Sequence, residues 1–153
     1  MNPAKAANWQ PHVTVAAVVE RDGRFLIVEE PRNQKIVFNQ PAGHLDADET
    51  LLEAVVREVK EETAWDFKPE FLTGIYQWKN SSNGETYIRT TYTGTVDNHD
   101  PEQMLYDGII RADWKTVDEL KAPDVRLRSP MVLRCIEDYI AGTRFPLNAL
   151  KSI

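Results

Sequence analysis

Three glutamates lie close together in one short stretch of the chain and could bind a metal ion. Glu58, Glu61 and Glu62 are spaced i, i+3 and i+4 in a segment whose pattern predicts a helix. Like charges at these spacings repel each other, and the last turns of a helix disfavour anions because the helix dipole is negative at its C-terminus. Carboxylate oxygens suit Mg²⁺, which keeps several waters and binds substrate phosphates. The spacing therefore indicates a divalent cation site, the alternative being a solvated acidic face.

The helix that would carry these glutamates is amphipathic. At about 100° per residue, the aliphatic side chains of residues 51–59 fill one arc of the helical wheel, and the three acids border that arc. This position, at the edge of the buried surface, favours a binding site over a solvated face. The turn at Gly43 adds exposed backbone groups beside the acids. We expect Asp46 or Asp48 to cap the helix, which runs to about Thr63.

The stretch from Gly43 to Trp65 resembles the signature box of the Nudix hydrolases. Five residues separate Gly43 from Glu49, and seven more lead to Arg57-Glu58-Val59-x-Glu61-Glu62. Six identities are thus fixed over twenty residues. The chain differs from the family at Ala64, where a glycine would form a left-handed C-cap, and at Trp65, where the family has an aliphatic residue. Alanine pays a steric penalty in the left-handed conformation. We expect a slightly different helix exit and an intact metal-binding face.

Shorter motifs that extend the similarity beyond the box resemble the NudJ phosphatase branch of the same family. They are Asn39-Gln40-Pro41-Ala42-Gly43-His44-Leu45, the pair Gln77-Trp78, and Leu127-Arg128-Ser129-Pro130. The family resemblance implies an α/β/α sandwich with a mixed β-sheet, in which the box is a loop–helix–loop across the sheet. The branch implies release of the terminal phosphate from nucleoside di- and triphosphates and related small pyrophosphates.

The family resemblance also implies a set of metal ligands. Glu58 and Glu62 become the first ligands, and Glu61 binds the metal directly or through water. The carbonyl of Gly43, or of its neighbour Ala42, becomes a further oxygen ligand. The implied cofactor is Mg²⁺, with Mn²⁺ as a substitute.

Catalytic roles follow from the same resemblance. Arg57 is similar to the family residue that orients the metal-binding acids through charge-assisted hydrogen bonds. Glu49 is similar to the structural partner of that arginine. Family members differ in the source of the general base. We expect Glu58 to act as the base here, with Glu61 as the next candidate.

Cationic and aromatic side chains outside the box are the candidates for binding substrate. Arg89 lies in a strand pattern, where an unpaired charge is costly. It therefore either forms a salt bridge with Glu85 or a box acid, or contacts the substrate. Arg128 is a candidate phosphate contact, the alternative being a structural role. Trp78 and Tyr76 could stack on a base, although aromatic residues in strands often belong to the core.

Other potentially reactive residues have simpler interpretations. His44 adjoins the box glycine, but no partner can be assigned to it, so we interpret it as structural. The pair Asp107-Gly108 is typical of a turn, the alternative being a further carboxylate for the metal. Cys135 lies in a helical pattern and is expected in the core. Because it is the only cysteine, it predicts no internal disulfide and fits a reducing compartment.

Composition limits the function classes. The chain has 153 residues, of which 42% are hydrophobic, enough for one domain with its own core. A net charge of -6 argues against binding a nucleic-acid polymer but permits a small phosphorylated substrate. The chain contains neither a signal-peptide pattern nor an apolar run of membrane-spanning length. We expect a soluble, cytoplasmic protein, and the pattern does not predict its oligomeric state.

The elements that must position the site follow the order strands, helix, strands, helices, which suits a mixed sheet between helical layers. The pair Asp22-Gly23 predicts a hairpin turn. We expect a loop at residues 31–37 and a short helix capped by Thr116. We expect one Nudix domain over residues 11–145, between tails at 1–10 and 146–153, and no element after Gly142. The predicted strands cover residues 12–20, 24–30, 71–79, 85–96 and 109–114, and the last helix covers 130–141.

These expectations lead to one main function and two alternatives. The main function is Mg²⁺-dependent hydrolysis of phosphoanhydride bonds in nucleoside di- and triphosphates or related small pyrophosphates, with release of phosphate. The first alternative is a pyrophosphohydrolase that releases pyrophosphate. The second is a Nudix-fold module that senses a nucleotide without cleaving it, for which Ala64 would be one step of degeneration.

Overall fold

Nine strands form two β-sheets in residues 8–153, the part of the chain that the computed structural model describes. Residues 1–7 of the predicted N-terminal tail lie outside the described residues. In the described part, no helix is both long and apolar enough to cross a membrane. The elements are β1 His12–Val18, β2 Glu20–Arg21, β3 Arg24–Arg32, β4 Lys35–Asn39, β5 Ala42–His44, α1 Leu51–Thr63, β6 Asp66–Lys79, β7 Thr86–Asp97, β8 Arg111–Lys115, α2 Val117–Leu120, α3 Met131–Ile140 and β9 Phe145–Pro146.

The larger sheet is mixed and has the strand order β5-β1-β7-β6-β9. Strands β1 and β7 run parallel, and the other neighbours are antiparallel. Strand β5 carries the glycine of the box and pairs with β1, with Val15 opposite Gly43 and Thr14 opposite His44. The start of the box is therefore an edge strand held in register by the buried β1.

The smaller sheet is built around β3, which pairs with β8 along one edge and with β2 and β4 along the other. The predicted turn at Asp22-Gly23 is present, with φ of 52° and 77°. The predicted loop at 31–37 is wrong, because β3 continues to Arg32 and β4 begins at Lys35. Asn33 and Gln34 form this second tight turn with positive φ. Exposed charged residues on both strands hid the alternation that predicts a hairpin.

Two helices cover opposite faces of the larger sheet. Successive side chains of β1 point to opposite faces, so Val15 packs in the cluster with Val55 and Val59 of α1, and Val18 packs in the cluster with Ile136 of α3. Each buried aliphatic side chain of this kind contributes about 1.5–3 kcal/mol. The α/β/α sandwich is confirmed, and Cys135 is a buried core residue as expected.

The helix of the box begins two to four residues later than a cap at Asp48 or Asp46 would place it. Thr50 is the N-cap of α1, and it forms a capping box with Glu53 in which each side chain accepts a backbone N–H of the other residue. The prediction that Asp46 or Asp48 caps the helix is wrong, because the reciprocal Thr50–Glu53 pair satisfies two backbone donors at once. Asp48 instead takes a turn conformation with φ of 64°.

The end of α1 also differs from expectation. Ala64 adopts the left-handed conformation, with φ of 63° and ψ of 13°, and donates its N–H to the Lys60 carbonyl at 3.0 Å. The expected change in helix exit is therefore wrong. The alanine keeps the cap geometry that glycine would have, and it carries the steric penalty of that conformation.

The residues after Gly142 are not a featureless tail. Strand β9 pairs with β6 through Phe71 and Leu72, and a 3-10 helix follows at Leu147–Ala149. Leu147 and Leu150 pack against the core cluster beneath α1. A strand of two residues that contains a proline is too short to produce a periodic pattern, and sequence reasoning missed it for that reason.

Candidate active site

The three glutamates of α1 line an open cavity of about 510 Å³, called here the carboxylate cavity. Strand β5 borders it through Gly43, and the loop around Asp107 closes another side. That loop is tied to α1, because the backbone N–H of Tyr106 donates to the carbonyl of Glu61 at 2.7 Å. The structure therefore brings together the predicted metal ligands Glu58, Glu61, Glu62 and Gly43.

Glu62 is the most deeply buried of the three acids, with 4% of its surface exposed. Its carboxylate accepts a hydrogen bond from the backbone N–H of Ala42 at 2.7 Å. Burial raises the pKa of Glu62 well above its usual range, and the neighbouring charges of Glu58 and Glu30 add to this, while the Ala42 bond opposes it. A buried anion of this kind is stabilised when a cation binds beside it.

Glu58 lies directly against the glycine of the box. A Cβ on Gly43 would overlap the Glu58 carboxylate, so this position admits only glycine unless the glutamate moves. Burial raises the pKa of Glu58, hydrogen bonding and charge from Arg57 lower it, and the charge of Glu61 raises it further. The box thus places a partly desolvated carboxylate beside the edge of the sheet.

Arg57 connects the acids to one another. Its Nε and Nη2 donate to both carboxylate oxygens of Glu49, at 3.0 and 2.6 Å. Its Nη1 donates to Glu58 at 2.8 Å and to Glu61 at 3.3 Å, and its Nη2 also donates to the carbonyl of His44 at 3.0 Å. The Glu49 carboxylate holds the pKa of Arg57 above its usual range. This is the geometry that an acid-orienting arginine requires.

The donor set fits a hard cation that also binds water and substrate. Within residues 8–153, no group of three or more His, Cys, Asp or Glu side chains is arranged to hold a metal ion unaided. In the contacts above, Glu58 and Glu61 each direct one oxygen to Arg57, and Glu62 directs one to Ala42. Mg²⁺ is commonly held by only one or two carboxylates together with waters and substrate phosphates. Buried Glu62 and half-buried Glu58 meet that requirement.

A second, smaller cavity of about 120 Å³, called here the arginine recess, lies on the α3 side of β5. The predicted substrate-contact residues Arg89, Arg128 and Trp78 all line it. The recess shares Gly43 and His44 with the carboxylate cavity. Because successive residues of a strand point to opposite faces, Gly43 faces Glu58 and α1, whereas His44 faces the recess.

Arg89 is a buried cation, with 4% of its surface exposed. The predicted salt bridge with Glu85 or a box acid is wrong, because Arg89 donates to the amide oxygens of Gln40 at 3.1 Å and Asn39 at 3.5 Å. Its Nε has no hydrogen-bond partner in the described part of the chain. Burial lowers the pKa of Arg89. A guanidinium held by neutral groups alone would gain from an anion in the recess.

Arg128 and Glu30 also line the recess. Arg128 Nε lies 3.6 Å from a carboxylate oxygen of Glu30, and Glu30 lines both cavities. Sequence reasoning missed Glu30, because one acid in a strand of unknown register has no distinguishing signal. Together with Arg89 and Arg32, the recess is lined by three guanidinium cations and one carboxylate.

The aromatic candidates separate into two roles. Trp78 stacks on Tyr87 with ring centroids 5.6 Å apart and lines the recess. Tyr76 lies under α3 instead, where its hydroxyl donates to Asp138 at 2.8 Å. Tyr76 is therefore a packing residue, and its assignment as a base-stacking candidate is wrong. Trp78 also lines a shallow outer groove of about 640 Å³ with Arg128.

His44 has a partner that the sequence did not reveal. Its Nε2 lies 2.9 Å from Nδ1 of His12 on the adjacent strand β1. Burial lowers the pKa of His44, and the charges of His12 and Arg128 lower it further, so the imidazole is neutral near pH 7. The two histidines are 32 residues apart in the chain, and only the β1–β5 register brings them together.

The turn interpretation of Asp107-Gly108 agrees with the backbone, since Gly108 has φ of 96°. Asp107 nevertheless lines the carboxylate cavity. The loop therefore forms the predicted turn and also places the Asp107 carboxylate in the cavity that the three glutamates of α1 line.

Comparison with known proteins agrees with this geometry. The family model described as NUDIX domain matches residues 10–135. A relative from Shigella boydii, named Phosphatase NudJ, is 41% identical over 143 residues, which cover 93% of this chain and 92% of the relative. A relative of the same name from Escherichia coli K12 is 39% identical over 142 residues, with the same coverage of each chain.

The fold comparison gives the same result. The solved structure of a NUDIX hydrolase from Nitrosomonas europaea superposes on this chain with a TM-score of 0.91. The two sequences are 51% identical, and the match covers 94% of this chain and 98% of the other.

Proposed function

The chain belongs to the Nudix hydrolase family, and from this premise we propose that it is a Mg²⁺-dependent phosphatase of nucleoside di- and triphosphates or related small pyrophosphates. The observation that carries the proposal is the meeting of two cavities of opposite charge at Gly43 and His44. The phosphatase names of the two relatives support release of phosphate. They also favour hydrolysis over nucleotide sensing without cleavage.

Glu58, Glu62 and Glu61, with the carbonyl of Gly43, are the groups that would hold Mg²⁺ or the substitute Mn²⁺. The bound ion supplies charge neutralisation on the phosphates and lowers the pKa of an attacking water. Arg57 keeps Glu58 and Glu61 in place through its hydrogen bonds. Glu58 accepts the proton of the attacking water. Glu61 is the next candidate for that role.

The order of the cavities supports a cut at the terminal phosphate. The recess lies between the carboxylate cavity and the outer groove, since it shares residues with both. The terminal phosphate would lie at the glutamates, the next phosphate at Arg89 and Arg128, and the nucleoside over Trp78. A recess of about 120 Å³ is smaller than the ~300–1,000 Å³ of a typical ligand site. It is suited to a phosphate rather than to a whole nucleoside.

The direct test is product identification. The protein is incubated with a nucleoside diphosphate and the matching triphosphate in Mg²⁺, and then with a chelator. We expect orthophosphate as the main product from both substrates and none in the chelator. Pyrophosphate and nucleoside monophosphate alone from the triphosphate would indicate the pyrophosphohydrolase alternative. Tight nucleotide binding without any release in Mg²⁺ or Mn²⁺ would indicate the sensing module. The cytoplasmic location remains a prediction from the sequence.

A further inference from the structure

The outer groove is lined by four cationic side chains and by no acidic one. The four are Arg32, Lys35, Arg126 and Arg128. The chain as a whole carries a net charge of -6, so the groove has the opposite sign to the rest of the protein. A surface whose charges serve only solubility mixes both signs. The composition of the groove therefore indicates a site for an anion.

The backbone holds these four cations together along strand β4. Arg32 and Lys35 are direct cross-strand partners at the tip of the β3–β4 hairpin, where like charges destabilise the pairing. The segment of Arg126 and Arg128 is hydrogen-bonded to the same strand. The N–H of Phe38 donates to the carbonyl of Arg126, and the N–H of Arg128 donates to the carbonyl of Phe38, both at 2.8 Å. The fold thus imposes the proximity of the cations on both sides of the groove.

Three of the four cations have no carboxylate partner. Within residues 8–153, no carboxylate oxygen lies within 4.0 Å of a charged nitrogen of Arg32, Lys35 or Arg126. Arg128 contacts Glu30, which lines the recess and not the groove. Neighbouring like charges without counter-ions repel one another, and an anion bound among them removes that repulsion.

The outer groove is continuous with the arginine recess. The two cavities share Arg32, Trp78, Asn80, Arg128 and Ser129. When the diphosphate occupies the carboxylate cavity and the recess, the groove receives the nucleoside, for which its volume of about 640 Å³ is sufficient. An ordinary nucleoside is neutral and gives the unpaired cations no charge to bind. A ligand that matches the groove therefore carries a further anion on its nucleoside.

The chemistry of the groove favours a phosphate on the ribose. Guanidinium groups bind phosphate through two parallel hydrogen bonds, and a lysine ammonium binds it as a point charge. The ribose follows the 5′-diphosphate directly, and its 2′ and 3′ oxygens are the places where a further phosphate can be attached. A nucleic-acid polymer would bring many phosphates to a protein with a net charge of -6, which opposes its binding.

We propose that the outer groove binds a second phosphate group, attached to the 2′ or 3′ oxygen of the ribose, and that the protein prefers nucleoside diphosphates that carry this group. Lys35 and Arg126 are then residues that determine specificity, at positions outside the two cavities that hold the diphosphate. The inference rests on the proposed function, because it places the diphosphate at the glutamates and the nucleoside over Trp78.

The first test measures binding without turnover. Adenosine 2′,5′-bisphosphate and adenosine 3′,5′-bisphosphate are compared with adenosine 5′-monophosphate by isothermal titration calorimetry in Mg²⁺. We expect at least one bisphosphate to bind about tenfold more tightly than the monophosphate at low ionic strength, or ~1.4 kcal/mol. The difference should shrink as salt is added, because the cations of the groove are exposed to solvent. The two isomers decide which ribose oxygen carries the phosphate.

The second test removes the groove cations. Lys35→Gln combined with Arg126→Gln should abolish the advantage of the bisphosphate and leave the affinity for the monophosphate unchanged. Both side chains are exposed, and their loss relieves repulsion, so the melting temperature should not fall. The matched control combines Lys68→Gln with Lys151→Gln, which removes the same charge at exposed positions that line none of the three cavities. It should keep the preference for the bisphosphate.

The third test measures turnover in Mg²⁺. Adenosine diphosphate is compared with adenosine diphosphate that carries the favoured 2′- or 3′-phosphate. We expect a lower KM and a higher kcat/KM for the phosphorylated substrate, and equal values for the two substrates in the Lys35→Gln, Arg126→Gln double variant. The double variant should keep the kcat/KM of the unaltered protein for plain adenosine diphosphate, because that substrate has no phosphate in the groove.

The outcomes separate this inference from the proposed function. If neither bisphosphate binds more tightly than the monophosphate, the inference is overturned, whether or not the protein releases phosphate. It is also overturned if the preference survives in the Lys35→Gln, Arg126→Gln double variant, or if the control variant loses it equally. If the bisphosphate preference depends on Lys35 and Arg126 but no diphosphate releases phosphate in Mg²⁺, the proposed function fails and the phosphate site in the groove stands.

Discussion

Gly43 and Glu58 lie so close together that a Cβ on the glycine would stand 2.1 Å from the carboxylate carbon of the glutamate. The contact joins the edge strand of the sheet to the helix of the box, and it explains why the box begins with glycine. Any other side chain at this position must displace the carboxylate that we assign as metal ligand and base.

Gly43→Ala is therefore expected to reduce activity much more than stability. Gly43 has no positive φ, so alanine suits its backbone, and the overlap with Glu58 is relieved by moving that side chain. We expect kcat to fall at least tenfold with a melting temperature close to that of the unaltered protein. Gly84→Ala is a control with the reverse expectation, a change in stability and none in activity, because Gly84 has φ of 75° and open space around it. It should lower stability, by about 1–2 kcal/mol, and leave kcat unchanged.

Glu58→Gln tests the assigned base without changing the size of the side chain. The amide cannot accept a proton from water and is a weaker metal ligand, so turnover should fall by orders of magnitude, by analogy with other acid–base residues whose loss costs ~10²–10⁴-fold. Circular dichroism should show an unchanged fold. Glu70→Gln, at an exposed position on β6, is the matched control and should keep full activity. Full activity in Glu58→Gln would show that the assignment of the base is wrong.

The pairing of Glu49 with Arg57 predicts a pH-dependent contribution to stability. The hydrogen bonds from Arg57 lower the pKa of Glu49 below its value of 4.5 in the unfolded chain. A lowered pKa means that the stabilisation is fully present above the unfolded value and is lost as the pH falls through the folded value. Glu49→Gln should thus be less stable than the unaltered protein at pH 7, by on the order of 1 kcal/mol. Chemical denaturation at pH 7 and pH 3 should show the difference shrinking in acid, and a constant difference would contradict this.

Arg89→Met separates substrate binding from folding. Burying the Arg89 charge without a carboxylate partner costs free energy, whereas its removal leaves the buried amide oxygen of Gln40 without this donor. Because the two effects oppose each other, methionine should change the free energy of unfolding little. The same substitution removes a cation from the recess, and we expect KM for a nucleoside diphosphate to rise about tenfold or more, since hydrogen bonds to charged groups contribute ~1.5–3 kcal/mol. Arg134→Met, at an exposed ion pair with Asp138, should change neither quantity. A loss of stability with unchanged KM would show that Arg89 is structural.

Sequence reasoning located the carboxylates better than it located their surroundings. The glutamates of α1 were predictable because helical spacing and position relative to Val55 and Val59 are local properties of the chain. The capping pair Thr50–Glu53 is equally local. It was missed because Asp46 and Asp48, which come earlier in the chain, are also residues that commonly cap a helix. The contact of His12 with His44 was not predictable, because it depends on strand register between segments 32 residues apart. A one-residue change of register would turn the two side chains to opposite faces.

Trp78 leads to a prediction about which bases the protein accepts. The outer groove that Trp78 shares with Arg128 is shallow, and stacking on an aromatic ring discriminates poorly between bases. Purine and pyrimidine nucleoside diphosphates should therefore react within about tenfold of each other, a difference of ~1.4 kcal/mol in barrier. Trp78→Ala should raise KM for both classes by a similar factor. Steady-state kinetics with four diphosphates and with inorganic pyrophosphate, which has no base, would measure this. If Trp78→Ala weakens only one class of base, or if one base is preferred by a hundredfold, the groove recognises the base by hydrogen bonds, and the stacking role assigned to Trp78 is wrong.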